Sequence, residues 1–140
     1  MAADPFDLQR FVTAQAPVWD DVMAELRAGR KTSHWMWFVF PQLASLGRST
    51  MARRYGLSGR DEAKAYLAHA VLGGRLRSCC SVLLGLRERD AEAIFGSVDA
   101  MKLRSCLTLF AVASNEPVFR DCLQAFFGGA GDPLTEAQAG

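Results

Sequence analysis

Histidine is nearly absent: His34 and His69 are the only two, so a metal centre built on several imidazoles is excluded. The four cysteines, Cys79, Cys80, Cys106 and Cys122, contain no Cys-x-x-Cys spacing. An adjacent Cys79-Cys80 pair suits neither a zinc site nor a simple disulfide framework. There is no Gly-rich phosphate loop of the Walker or dinucleotide type, and no nucleophile elbow. Neither sign of charge is in excess: 16 Lys and Arg face 15 Asp and Glu, a net charge of +1. That balance gives no general pull toward nucleic acid or anionic membrane. The longest apolar run, Trp35 to Pro41, is too short to span a bilayer. The N-terminus, Met1-Ala-Ala-Asp-Pro-Phe-Asp, has neither the basic region nor the apolar stretch of a secretory signal. The expectation is a cytoplasmic protein with reduced, structural thiols, no metal and no bound cofactor.

What is present is the material of a core. Half of the 140 residues are hydrophobic, nine of them Phe, three Trp and two Tyr, and 22% are charged. A chain of this length buries roughly 68–70% of the surface it exposes when unfolded, enough for one domain without staples. Each cysteine sits among Leu, Val and Phe, where a thiol behaves as a small hydrophobe.

Helix signals dominate. Asp4-Pro5 reads as an N-cap and first helical residue, predicting a helix over roughly 5–15. Pro17 opens a second, with Trp19, Val22, Met23 and Leu26 at three- and four-residue steps and Gly29 as the stop. The segment from Lys31 to Leu43 is rich in aromatic and β-branched residues but has no partner strand. A short buried helix or irregular core segment is expected there, ended by Pro41. Ser49 can cap a short basic turn. Ser58 with Asp61 resembles a capping box for a helix over 59–68. Val71, Leu72, Leu76, Cys79, Cys80, Leu83 and Leu86 mark the next helix, its start delayed by Gly73-Gly74. Asp90 and Ser97 can cap helices over 91–95 and 98–113. Pro117 opens another, closed by Gly128-Gly129. The reading is an all-α, compact single-domain bundle of six to eight short helices over 4–128, with a small, polar tail from 129 to 140 that frays. Trp19, Phe38, Phe40, Leu76, Leu83, Leu107 and Phe110 are its expected core.

Two blocks stand out together: Ser33-His-Trp-Met-Trp-Phe-Val-Phe-Pro-Gln42, and Ile94-Phe-Gly-Ser-Val-Asp-Ala-Met-Lys-Leu-Arg-Ser-Cys-Leu-Thr-Leu-Phe110. With Gly47-Arg-Ser and Tyr66-Leu-Ala-His-Ala-Val-Leu-Gly73 between them, the chain resembles a bacterial all-α family of unknown function. This is the domain-of-unknown-function family numbered eighteen-ten, sometimes mislabelled calpastatin-like. Gly74 stands where that family leads one to expect Pro. The resemblance implies a compact multihelical fold and no established reaction.

Chemistry must therefore be read from side chains. His34 either caps a helix or satisfies a carbonyl, or serves as acid/base near neutrality. Trp35 and Trp37 carry indole N–H groups that need partners, and Gln42 offers a bidentate amide. Aromatic faces beside such an amide suit a planar polar ligand. They are also what a core looks like. Asp99, Lys102, Ser105 and Thr108 recur at three-residue steps on one helix, either a solvated face or a pocket wall. Arg48 can hold an anion. The enzyme reading is a metal-free hydrolase or transferase acting on a small nucleotide-like or anionic metabolite, with His34 and Lys102 catalytic. Trp35, Trp37, Gln42, Arg48, Asp99, Ser105 and Thr108 would bind its ligand. The alternatives are a non-catalytic metabolite-binding module and a structural or protein-interaction domain. Residue chemistry leaves enzyme status and oligomeric state open, while a membrane or nucleic-acid partner is not expected.

Overall fold

The computed structural model describes residues 3–139. Ten α-helices follow in chain order: α1 (Gln9–Gln15), α2 (Trp19–Ala28), α3 (Met36–Val39), α4 (Thr50–Arg54), α5 (Arg60–Ala68), α6 (Leu72–Leu84), α7 (Ala91–Phe95), α8 (Ser97–Ala113), α9 (Pro117–Phe127) and α10 (Pro133–Ala139). Three of them, α3, α4 and α7, are single turns. The all-α bundle expected from periodicity is what forms. No strand occurs among the described residues; an isolated parallel bridge joins Leu43 to Leu57. The aromatic segment supplies one side of that bridge after α3. Pro41 forces Phe40 out of the helical region, to φ −122° and ψ 71°, and the chain runs on extended.

Helix α8 is the central element, packed against α5, α7, α9 and α10. Its apolar face is broad: Leu103, Cys106, Leu107, Leu109 and Phe110 are all buried. An aromatic row ties four helices together. Phe11 of α1 meets Tyr66 of α5 edge-on at 5.2 Å, Tyr66 meets Phe110 of α8 at 5.5 Å, and Phe110 meets Phe119 of α9 at 5.6 Å. Each such pair adds about 0.5–1.5 kcal/mol beyond the area it buries. Of the expected core residues, six are buried; Trp19 instead packs half-buried against the outside of the core.

Several helix ends differ from expectation for identifiable reasons. Asp4 does accept backbone N–H groups, from Leu8 at 2.7 Å and Gln9 at 2.9 Å, but the regular helix begins only at Gln9. Asp7, at φ +52°, interrupts it. Pro17 lies in a 3-10 turn, Ala16–Val18, ahead of α2. At α5 it is Glu62, not Asp61, that reaches back, accepting the Ser58 N–H at 2.8 Å. Ser97 falls inside α8, and Gly96 at φ +82° takes the N-cap position. Ser49 and Asp90 cap α4 and α7 as expected. The glycine pair does not delay α6, which starts at Leu72. Gly73 is needed where α6 passes the end of α5: a Cβ there would lie 2.1 Å from the Leu67 carbonyl oxygen.

The stretch expected to fray carries α10. Thr135 and Ala139 are buried, Asp132 caps the helix through Thr135, and Arg60 donates to the Ala139 carbonyl at 3.0 Å. Ser45 adds a hydroxyl bond to Gln138. No helix among the described residues is long and apolar enough to cross a membrane.

Candidate functional site

The turn between α2 and α3 is organised by one carboxylate. Glu25, in the last turn of α2, faces the chain as it returns after Gly29. Gly29 adopts φ +70° and closes the helix, with the Arg30 N–H reaching back to the Glu25 carbonyl. Glu25 Oε1 accepts the Thr32 N–H at 2.7 Å, the Ser33 N–H at 2.9 Å and the Trp35 indole N–H at 3.1 Å. Its Oε2 accepts the Ser33 hydroxyl. Burial opposes ionisation of Glu25, but the donors from Ser33, Thr32 and Trp35 outweigh it and hold the pKa at about 2. The indole N–H of the fully buried Trp35 is thereby satisfied.

A second carboxylate joins this turn to α8. Asp99 Oδ2 lies 2.8 Å from Lys31 Nζ, and its Oδ1 lies 3.4 Å from Lys102 Nζ. Each lysine covers an indole: Lys31 sits 5.1 Å from the Trp35 ring centroid and Lys102 4.8 Å from that of Trp37. The two ammonium groups differ in access. The Lys31 side chain is 7% exposed, that of Lys102 23%. The two sequence blocks thus meet at Trp37 and Lys102.

Other candidates fall elsewhere. His34 is exposed beside the Glu25 turn, and Arg48 is exposed ahead of α4. Gln42 and Trp37 line a small cavity with Leu43, Gly47, Ala52 and Tyr55; about 10 Å³ is accessible there, room for about one water. The Gln42 backbone carbonyl accepts the Leu57 N–H. Thr108 is committed to the C-terminal turn, donating to the Arg104 carbonyl at 2.7 Å and accepting the Asp132 N–H at 2.9 Å. Arg104 holds the same turn through the Ala130 and Gly131 carbonyls. Ser105 is half-buried on the same helix. The three-residue row on α8 therefore divides, Asp99 and Lys102 facing the aromatic block and Thr108 facing α10.

The four thiols are free and buried. Burial pushes Cys79 up to about 12 and Cys106 well above the ordinary thiol range. Cys80 is also raised, with the Cys122 thiol bonded to its carbonyl at 3.7 Å. No group of three or more His, Cys, Asp or Glu side chains able to hold a metal ion occurs among the described residues.

A family profile described as "Protein of unknown function (DUF1810)" matches residues 5–139. The chain belongs to the DUF1810 family. It is also similar to a solved structure, the conserved hypothetical protein Rv1873 from Mycobacterium tuberculosis: 52% identical, with 96% of each chain covered and a TM-score of 0.94. No curated protein matches it. The DUF1810 match includes α10, consistent with that helix being part of the domain.

In this DUF1810 chain, sequence reasoning missed Glu25, Lys31, Gln15 and Arg75. Gln15 is buried, its Nε2 donating to the Phe38 carbonyl at 2.7 Å and to the Tyr66 hydroxyl at 3.1 Å. Its Oε1 accepts from Arg75 Nη1 at 3.2 Å. One available signal was Gln15 itself, a polar residue four positions beyond Phe11 on the buried side of α1.

Proposed function

We propose that this DUF1810 chain is a binding module for a small anionic ligand, seated at Trp37 between Lys102 and Gln42. The observation that carries the proposal is the placement of Lys102. Its ammonium group is partly exposed, lies over the Trp37 ring at 4.8 Å, and is paired to Asp99 only at 3.4 Å. Asp99 makes its closer contact with Lys31. Lys102 is thus positioned by two weak contacts and remains open to an incoming oxyanion. Gln42 shares a small cavity with the same indole, and its side-chain amide has no hydrogen-bond partner among the described residues. A ligand with an anionic group at Lys102 lies along the Trp37 ring and reaches the Gln42 amide through one small polar atom or a bridging water.

The site chemistry favours binding over turnover. Glu25 has both oxygens occupied and a pKa near 2, so it is a poor base at neutral pH. The thiols of Cys79, Cys80 and Cys106 are buried and held neutral. His34 has no hydrogen-bonding side chain orienting it among the described residues, unlike the base of a catalytic pair.

A thermal-unfolding screen against nucleotides and sugar phosphates tests the reading. A ligand at 100 times its dissociation constant adds about 2.7 kcal/mol of stability. The expected result is stabilisation by an anionic member of the panel, lost in Lys102→Met and weakened in Gln42→Ala, with the recovered ligand chemically unchanged. Stabilisation that persists in Lys102→Met overturns the seat; a converted ligand overturns the binding-only reading.

A further inference from the structure

A concave surface lies away from Trp37, between α2 and α6, with a volume of about 740 Å³. It has a simple origin in the sequence. Asp20, Met23, Ala24 and Arg27 fall at i, i+3, i+4 and i+7 on α2, and Val71, at the N-cap of α6, has the same spacing to Gly74, Arg75 and Ser78 within it. Two helical stripes therefore face each other with Ala24, Gly74 and Ser78 in them. These small residues leave room where larger ones would close the seam. A Cβ built at Gly74 meets nothing within 4 Å, in contrast to Gly73 beside it.

The groove contains a pre-positioned guanidinium. Arg75 lies 4.8 Å from the Trp19 ring centroid and donates Nη1 to Gln15 Oε1 at 3.2 Å. Gln15 is itself immobilised by Phe38 and Tyr66, so the direction of that bond is set by the core. Arginine carries five N–H donors, and this is the one hydrogen bond Arg75 makes to another side chain among the described residues. Among the described residues, no carboxylate lies within 4.0 Å of Arg75 or of Arg27, which lines the same groove from α2. Asp20 also lines it and pairs with neither arginine. A fixed guanidinium with open donors, a second arginine and a serine line this one groove, and these are side chains whose donors suit an oxyanion.

We propose that the α2–α6 groove is a second binding site, independent of the Trp37 seat, for a small metabolite bearing a phosphoryl or carboxylate group, with Arg75 as its principal contact. Arg75 binds the oxyanion through two parallel N–H donors. Arg27 and Ser78 supply the remaining charge and hydrogen bonding, and the open space above Gly74 accommodates the body of the ligand. Asp20 opposes the bound charge and sets an upper limit on affinity.

Indole N–H resonances separate this site from the other, because Trp19, Trp35 and Trp37 lie in different places. The test titrates the full chain with phenyl phosphate and, separately, with benzoate, at constant ionic strength. The two arms show which oxyanion is taken. The expected result in at least one arm is a saturable shift of the Trp19 indole that phenol does not produce. Arg75→Gln should weaken this binding roughly tenfold or more, the loss of charge-assisted hydrogen bonds. Gly74→Leu, which fills the groove with a good helix former, should abolish it with the helical spectrum intact, and Asp20→Asn should tighten it. Absence of a saturable Trp19 shift in both arms overturns the proposal. So does unchanged affinity in Arg75→Gln or in a folded Gly74→Leu protein.

Discussion

Arg10 and Arg75 are both partly buried, and each guanidinium lies over an aromatic ring, Phe11 at 4.4 Å and Trp19 at 4.8 Å. Their donors are used very differently. Arg10 engages the carbonyls of Phe6, Asp7, Arg54 and Gly56 and the carboxylate of Glu62, which occupies all five N–H groups. Among the described residues, the Arg75 guanidinium donates a hydrogen bond only to Gln15. An arginine whose donors are exhausted by the chain has no capacity left for a ligand; its role is to join segments. One held in place with its donors open is organised for something outside the chain. The same distinction separates Glu25, with four donors on its carboxylate, from Lys102, with one long ion pair and a ring contact.

The largest effect expected from this contrast is at Arg10. Glu62 is 4% exposed in side chain, and removing its partner leaves a buried charge. Arg10→Met should cost about 3–5 kcal/mol in chemical denaturation, far more than any change at Arg75. A loss below about 1 kcal/mol would break the comparison.

Next in size is Gly73→Ala. Its methyl collides with the Leu67 carbonyl, and overpacking of this kind costs about 1–3 kcal/mol. Equilibrium unfolding should detect it.

Acid should act through Glu25. Its folded pKa is about 2, below the usual carboxylate value of 4.5, so the folded state favours the charged form. The resulting stability is present above about pH 5 and is lost as pH falls toward 2. Allowing for solvent at its edge, roughly 1–2 kcal/mol is involved. Glu25→Gln should remove that part of the acid dependence; an unchanged pH profile would show that the turn is held by other means. The smallest effect has the opposite sign. Gly74→Ala should stabilise by about 0.5–1 kcal/mol, because the new methyl meets open space in a helix.

Much of this fold was legible because helices announce themselves locally. Asp90 and Ser49 cap where they stand, and Leu76, Leu83, Leu107 and Phe110 recur at helical steps. The one-turn α3 followed from Pro41 and the lack of any partner strand. What escaped was either strained or distant. The sequence does not mark the positive φ at Asp7, and α1 therefore starts four residues after the Pro5 that its N-terminal signal suggests. The anchoring of α10 depends on Arg60 and Ser45, far away in sequence, and on burial of small residues such as Ala139, which a polar composition conceals. Propensity alone does not show that Gly73 faces another helix while Gly74 faces open space, so the pair looks like a helix breaker. At the candidate site, Trp37 and Lys102 each stand out in the sequence as a polar-bearing residue on an otherwise apolar segment, and the fold brings the two together. Gln15 and Arg75, 60 positions apart, leave no spacing by which to associate them.

The central claim is that open donors on a fixed cation mark binding, while engaged donors mark structure. The most direct measurement is the unfolding free energy of the parent chain and of Arg75→Gln, each with and without inorganic phosphate at constant ionic strength. Without phosphate, Arg75→Gln should cost about 1–2 kcal/mol, because the buried Gln15 Oε1 loses its donor, and still less than Arg10→Met. With phosphate, the parent should gain stability that the variant does not, beyond the general salting effect common to both. An Arg75→Gln protein as destabilised as Arg10→Met, with phosphate acting equally on parent and variant, would contradict the account.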